Sequence, residues 1–328
     1  MYYADKLDSL KDIFGAADVS LEKDGISVDG RFYPVVDDVI VLLDDDRLPP
    51  SLRGSSGAGA SGQGFAEDIQ FTFGEEWKRF PEILPEHEAE FNDYFDLVDI
   101  PALKDARVAD AGCGIGRWSH FIHSSCREIV LLDFSEAIFV ARKNLKDAPN
   151  AIFFMADITN LPFRTGFADF IFSLGVLHHI PAPALDLVRG LSRFAPNMLI
   201  YLYYALDNRP FHYKAIFQVV DAVRRAVSGV RNHAFREAFT FFTTVFVYMP
   251  MVALGAALKP LGLSSKVPLY EGYTGKGFAR IRQDVYDRFF TGIEQRFTRD
   301  QIYGLKDTFA DVKISNRIPY WHFTVRKS

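Results

Sequence analysis

The most chemically suggestive run in the chain is Asp110-Ala-Gly112-Cys113-Gly114-Ile-Gly116, which follows a short apolar segment and opens a helical one. Glycines at every second position let the backbone turn sharply and let a ligand approach its N–H groups closely. A dinucleotide fingerprint needs its third glycine three residues after the second, and Arg117 and Trp118 stand in that region instead. The spacing is GxGxG, which predicts a nucleotide-like cofactor at the mouth of a strand.

Carboxylates recur at the distances such a site requires. IVLLD ends in Asp133, about twenty residues on, followed by Phe134. An acid at that strand edge accepts hydrogen bonds from ribose hydroxyls. MAD ends the next strand and places Asp157 to accept from an adenine amine, with Ile158 beside the ring. FADFIFSLGVLHHI supplies Asp169 at a strand start and Ser173-Leu174-Gly175 at the mouth of the site. One such acid is a surface residue in many proteins; three at successive strand ends form a pattern.

The elements that must position these groups alternate: RVADAG, helix, EIVLLD, helix, AIFFMAD, loop, FADFIFSLG, helix, NMLIYLYY. That alternation predicts an α/β, doubly wound, mostly parallel sheet covered on both faces. After an insertion the chain resumes with a helix around 299–309 and two strands, DVKISNRI and WHFTVRK. Ahead of this domain, residues 1–48 read as a small β-rich module and 49–64 as a flexible Gly/Ser/Ala linker, leaving 65–328 for the main domain. A helical stretch from Phe71 to Ala102, broken by Pro81 and Pro85, leads into it.

At 328 residues, with 48% hydrophobic and 24% charged residues, the chain has the composition of a globular protein. A net charge of -5 gives no footprint for gripping a phosphate backbone, which counts against a nucleic-acid substrate. Two cysteines, Cys113 and Cys126, provide no disulfide framework and no paired thiols for a metal. With no basic n-region at Met1, the expectation is a cytoplasmic protein.

Taken together, DAGCGIGR, LLDFSEAI, MADITNLPF and FADFIFSLGVLHHI resemble the successive motifs of the class I S-adenosylmethionine-dependent methyltransferases, over roughly 71–205 and 290–328. The resemblance implies a seven-stranded Rossmann-like sheet with a final antiparallel strand and S-adenosyl-L-methionine as cofactor. It implies that Gly112, Gly114 and Gly116 line the methionine and ribose, Asp133 the ribose, and Asp157 and Ile158 the adenine. Asp110, Cys113, Phe134, Ser173 and Leu174 fall within the same motifs. FGEEW resembles a segment of some bacterial members in which an aromatic, here Trp77, lies against the sulfonium, and a cation is attracted to an aromatic face. Residues 6–45 resemble the zinc-ribbon-like activator modules of certain transfer-RNA methyltransferases; the zinc cysteines are absent, so no metal is predicted.

Methyl transfer from a sulfonium is an in-line displacement that needs positioning above all. For a hydroxyl acceptor a neutral histidine serves as base, and His178 and His179 after the fourth strand are the expected pair, unless their turn is structural. Tyr204, Tyr270, Tyr273 and His322 are further acceptor-pocket candidates. The acceptor is read as a small molecule or a lipid-linked group methylated at oxygen or nitrogen, by analogy with bacterial methyltransferases of cell-surface polysaccharide pathways. The competing reading is a non-catalytic cofactor-binding or scaffold protein.

The insertion, about 208–270, sits between the fifth and sixth strands, where this fold carries acceptor-specific additions. Phe211, Ile216, Phe217, Val220, Val223 and Val227 predict an apolar helix face opposite Lys214, Arg224 and Arg225. Residues 238–258 follow without a charge, long enough to cross a bilayer. A single crossing would separate the last strands from their sheet. That leaves a helical lid or a homodimer contact, which rank first, or a helix pair over 211–258 resting peripherally on the inner face of the membrane.

Overall fold

The computed structural model describes residues 2–53, 81–209 and 211–327. Trp77, the FGEEW segment and most of the expected linker lie outside them. The chain divides into two compact units: residues 1–203 with 299–328, and residues 204–298.

In the first unit, α1 (Leu7–Phe14) precedes a meander of β1 (Val19–Glu22), β2 (Gly25–Val28), β3 (Arg31–Val36) and β4 (Val39–Val41). After α2 (Glu86–Tyr94) the chain alternates β5 (Arg107–Ala111), α3 (Arg117–Ile122), β6 (Glu128–Asp133), α4 (Ala137–Asn144), β7 (Ala151–Met155), β8 (Phe170–Leu174), α5 (Ala184–Leu191) and β9 (Asn197–Tyr201). The described residues of the second unit include the α-helices α6 (Phe211–Val227), α7 (His233–Thr243), α8 (Met249–Leu258), α9 (Tyr270–Tyr273) and α10 (Phe278–Phe290). The first unit then closes with α11 (Arg299–Tyr303), β10 (Asp311–Ile314) and β11 (His322–Arg326).

The expected seven strands run β7-β6-β5-β8-β9-β11-β10, with β11 antiparallel to both neighbours. Every residue of β5, β7 and β8 is buried, as for strands packed on both faces. The sheet is larger than expected. The N-terminal strands do not stand apart as a module: β4 pairs in parallel with β7, aligning Ile40 with Phe154 and Val41 with Met155, so that eleven strands form one sheet. Exposed backbone groups at a β7 edge would otherwise need covering.

Arg107 welds this extension to the centre. Its buried guanidinium donates to Glu128, to Asp12 of α1 and, at 2.8 Å, to the Phe167 carbonyl. Its own backbone N–H is accepted by Asp169 at 2.7 Å, so Asp169 serves the sheet rather than a ligand. Removing one partner of a buried ion pair leaves the other uncompensated and costs about 3–5 kcal/mol. Arg107→Met is therefore expected to lower unfolding stability by about that amount in denaturant titration, with Arg107→Met/Glu128→Gln recovering part of it; a loss below about 1 kcal/mol would contradict this role.

Candidate cofactor and acceptor site

The chain leaves β5 through three left-handed glycines, Gly112 (φ 86°), Gly114 (φ 53°) and Gly116 (φ 73°). A Cβ on Gly112 would lie 2.5 Å from Val176 Cγ2, and one on Gly116 would lie 2.6 Å from Leu145 Cδ1. Conformation and space both require glycine here. The Leu132 carbonyl accepts from Gly112 N and Cys113 N, at 2.8 and 2.9 Å, which folds the loop back onto β6.

Asp133, at the end of β6, fixes the tip. Its Oδ2 accepts from Gly114 N at 2.8 Å, and its Oδ1 accepts from Ser135 N and Oγ at 2.8 and 2.7 Å. A carboxylate has about four lone-pair positions. Three are used here, and the Phe134 N–H adds a further donor to the carboxylate. Burial raises the Asp133 carboxyl, opposed by the bonds from Ser135 and Gly114. Asp110 is fully buried behind the loop, accepts from Ser119 Oγ at 2.7 Å, and is pushed by burial up to about 8, with the nearby Asp133 charge adding to the rise. Cys113 is buried and its thiol raised for the same reason, which makes it a packing residue.

Asp157 and Ile158 follow β7. Asp157 Oδ1 accepts from Thr159 N and Oγ1, at 2.8 and 2.7 Å, while Oδ2 pairs with Arg47 at 2.6 Å. The Arg47 guanidinium also lies over the Phe134 ring, 5.0 Å from its centroid. Ser51 Oγ donates to Glu136 close by, so residues 47–51 cross the rim at 134–136. Arg47 was missed because a lone arginine after three aspartates gives no motif. Ile158 lines a cleft with Leu177, Leu187, Leu191 and Phe194 that shares no other residue with the expected cofactor set. Ser173 is committed to the sheet: its buried hydroxyl donates to the Ala111 carbonyl at 2.7 Å, tying β8 to β5, and Leu174 ends that strand.

Aromatic rings gather at the ends of β8 and β9 and the start of β11. His178 and His179 are buried in a 3₁₀ turn, Leu177–His179, their rings 4.1 Å apart, and His178 lies 4.0 Å from Tyr203. His322 begins β11 opposite Tyr201. It is wholly buried, with Nε2 2.8 Å from Asp96 Oδ1, and Ser315 Oγ donates to Asp96 Oδ2 at 2.7 Å. Burial lowers the imidazole pKa below its ordinary value against the pull of Asp96. Nδ1 of His322 has no hydrogen-bond partner among the described residues.

Tyr270 and Tyr273 are core residues of the second unit, Tyr270 packed on Gly255 and Tyr273 against Tyr248 with centroids 5.2 Å apart. Tyr204 belongs to that unit too, its carbonyl accepting from Arg296 at 3.0 Å. Tyrosines read as pocket residues from composition alone are as often buried aromatic bulk.

Residues 108–195 match the family model described as a methyltransferase domain, the segment from β5 through α5. With the strand order above, that settles the architecture. The fold is the Rossmann-like methyltransferase fold. Among solved structures, a protein of Pyrococcus horikoshii OT3 is 23% identical, over 38% of this chain and 64% of its own, with TM-score 0.34. One from Methanococcus maripaludis described as a putative S-adenosyl-L-methionine-dependent methyltransferase is 22% identical, over 40% and 63%, with TM-score 0.34. The chain thus spans just under two thirds of either. The magnesium protoporphyrin IX methyltransferase of Synechocystis PCC 6803, solved with bound SAH, is 14% identical over 80% of this chain and 97% of its own, with TM-score 0.46. No curated protein matches the chain.

The raised Asp110 carboxyl has a consequence for the empty protein. Between about pH 4 and about 8 the folded state holds a proton that the unfolded chain releases, so stability falls as pH rises across that window, by at most about 1.4 kcal/mol per pH unit from this group. Denaturation midpoints measured from pH 5 to 8 are expected to decline, and Asp110→Asn to flatten the decline. A midpoint that climbs with pH, or a slope untouched in the variant, would contradict the assignment.

Proposed function

We propose that this protein is a methyltransferase that moves the methyl group of S-adenosylmethionine to an oxygen or nitrogen of a small-molecule or lipid-linked acceptor. The observation that carries the reading is the Gly112–Gly116 loop, held on β6 by Asp133 within the segment that matches the methyltransferase-domain model. Its residues fit the cofactor: the loop turns sharply where no Cβ fits at Gly112 and Gly116, Asp133 stands at its tip, and buried Asp110 stands behind it. When bound, the cofactor supplies an electrophilic methyl on a sulfonium.

The chain's own contribution is placement, exclusion of water and custody of a proton. For a hydroxyl acceptor, we assign that custody to His322 rather than to His178 or His179. Asp96 accepts from Nε2–H and fixes the tautomer, which leaves the Nδ1 lone pair as proton acceptor. Its lowered pKa keeps the ring neutral at pH 7. As pH falls through that lowered pKa the ring becomes charged and the base is lost.

The test supplies methyl-labelled S-adenosylmethionine with the aqueous and the lipid fraction of a cell extract. Label is expected in one fraction, dependent on protein, with an acid limb in the pH profile below 6.5. His322→Asn is expected to cut turnover by about 10²-fold or more with cofactor binding retained. Asp96→Asn should move the acid limb to lower pH, because it removes the charge that raises the imidazole pKa. Cofactor binding without transfer to either fraction would favour the non-catalytic reading, and an unmoved acid limb in Asp96→Asn would remove His322 from the reaction.

A further inference from the structure

Helices α7 and α8 are continuous through a π-helical turn, Thr244–Tyr248, and together make one 29-residue helix, His233–Leu261. An apolar helix of that length in a soluble core is mostly buried; in the most apolar 18-residue stretch of this one, 17% is. Among the described residues its partners come from a few positions. Arg236 donates to the Val230 carbonyl and to Tyr286 Oη of α10, and Phe239 packs edge-on against Phe289 and Phe290. Next to that contact Phe235, Phe242, Phe246 and Val247, with Phe239 itself, line an open trough that carries no charge. Phe246 is 68% exposed and Leu261 69%.

Charge identifies the occupant. Residues 204–298 hold thirteen Lys and Arg against seven Asp and Glu, a surplus of +6 in a chain whose net charge is -5, which leaves -11 on the remainder. Within the unit the acids are engaged: Asp221 with Arg224 and Arg225, Glu237 with Arg282, Glu271 with Arg209, Asp284 with Arg280 and Glu294 with Arg296. Lys214, Lys259 and Lys266 are exposed. A second copy would cover the apolar side but would bring two +6 units together. An anionic bilayer satisfies both features at once.

The helix cannot span. Its partnered side is lined by α10, whose Arg280, Arg282, Asp284, Asp287 and Arg288 would be drawn into hydrocarbon. β9, before the insertion, and β11, the second strand after it, are also hydrogen-bonded neighbours, with Tyr201 opposite His322. We propose that the 204–298 unit docks on an anionic lipid bilayer with the His233–Leu261 helix lying in the interface, its Phe242–Phe246 side among the acyl chains. The inference stands on this unit alone and does not rest on methyl transfer.

Flotation of the full-length protein with vesicles tests it. Binding is expected to vesicles of equal phosphatidylglycerol and phosphatidylcholine, at least tenfold weaker to pure phosphatidylcholine, and weakened by 0.5 M salt. Phe242→Ser/Phe246→Ser should abolish flotation, and Lys259→Gln/Lys266→Gln should weaken it by about fivefold per charge. Thermal unfolding and S-adenosylmethionine titration of each variant, run in parallel, are expected to be unchanged, which separates this result from the fate of the cofactor assignment. Wild-type protein that fails to float on anionic vesicles overturns the proposal. So does a lipid-free dimer that the phenylalanine variant dissolves, because the face then belongs to a second copy.

Discussion

Everything at the cofactor end of the sheet depends on one carboxylate. Asp133 ends β6, still paired with Met155 of β7 but one residue past the last pairing with β5, and its side chain accepts three hydrogen bonds from Gly114 and Ser135. Three consecutive left-handed turns at Gly112, Gly114 and Gly116 would otherwise be a floppy connection, since glycine loses the most conformational freedom on ordering. The Leu132 carbonyl holds the start of the loop and Asp133 its tip, and the helix that follows inherits a fixed origin. The same arrangement explains why Asp110 is tolerated in the core. It remains protonated behind a loop whose own acid is already committed, and Ser119 meets one of its oxygens.

Much of this was legible in the sequence because it rests on local pattern. Glycine spacing, acids at strand ends and the alternation of apolar runs with helices all act over a few residues, and the strand order follows from connecting such units. What escaped depends on contacts far apart in the chain. The N-terminal meander reads as a separate module because its antiparallel pairs are local, whereas the join that merges it into the sheet links Ile40 to Phe154. Arg47 reaches Asp157 across a similar distance. Ser173 looked like a pocket residue from its position at a strand end, yet a buried hydroxyl must find an acceptor, and the nearest was the Ala111 carbonyl.

The insertion shows the same limit in a different form. Helical periodicity placed Arg224 on the polar face of α6, but it is the buried residue of that helix, because its guanidinium can donate to the Thr291 and Gly292 carbonyls while Asp221 neutralises it. Ile216, Val219 and Val223 face outward instead. A unit that turns charges inward and aromatics outward inverts the usual arrangement, and that inversion recurs along His233–Leu261. In the first unit buried His322 is likewise met by a charge, the carboxylate of Asp96.

The central claim is that the glycine loop and Asp133 form a site for S-adenosylmethionine. Titration calorimetry of S-adenosylmethionine and S-adenosylhomocysteine into the wild-type protein and into Asp133→Ala tests it most directly. The account predicts micromolar binding of both to wild type and its loss in a variant that still folds; absence of binding to wild type, or binding untouched in Asp133→Ala, would contradict it.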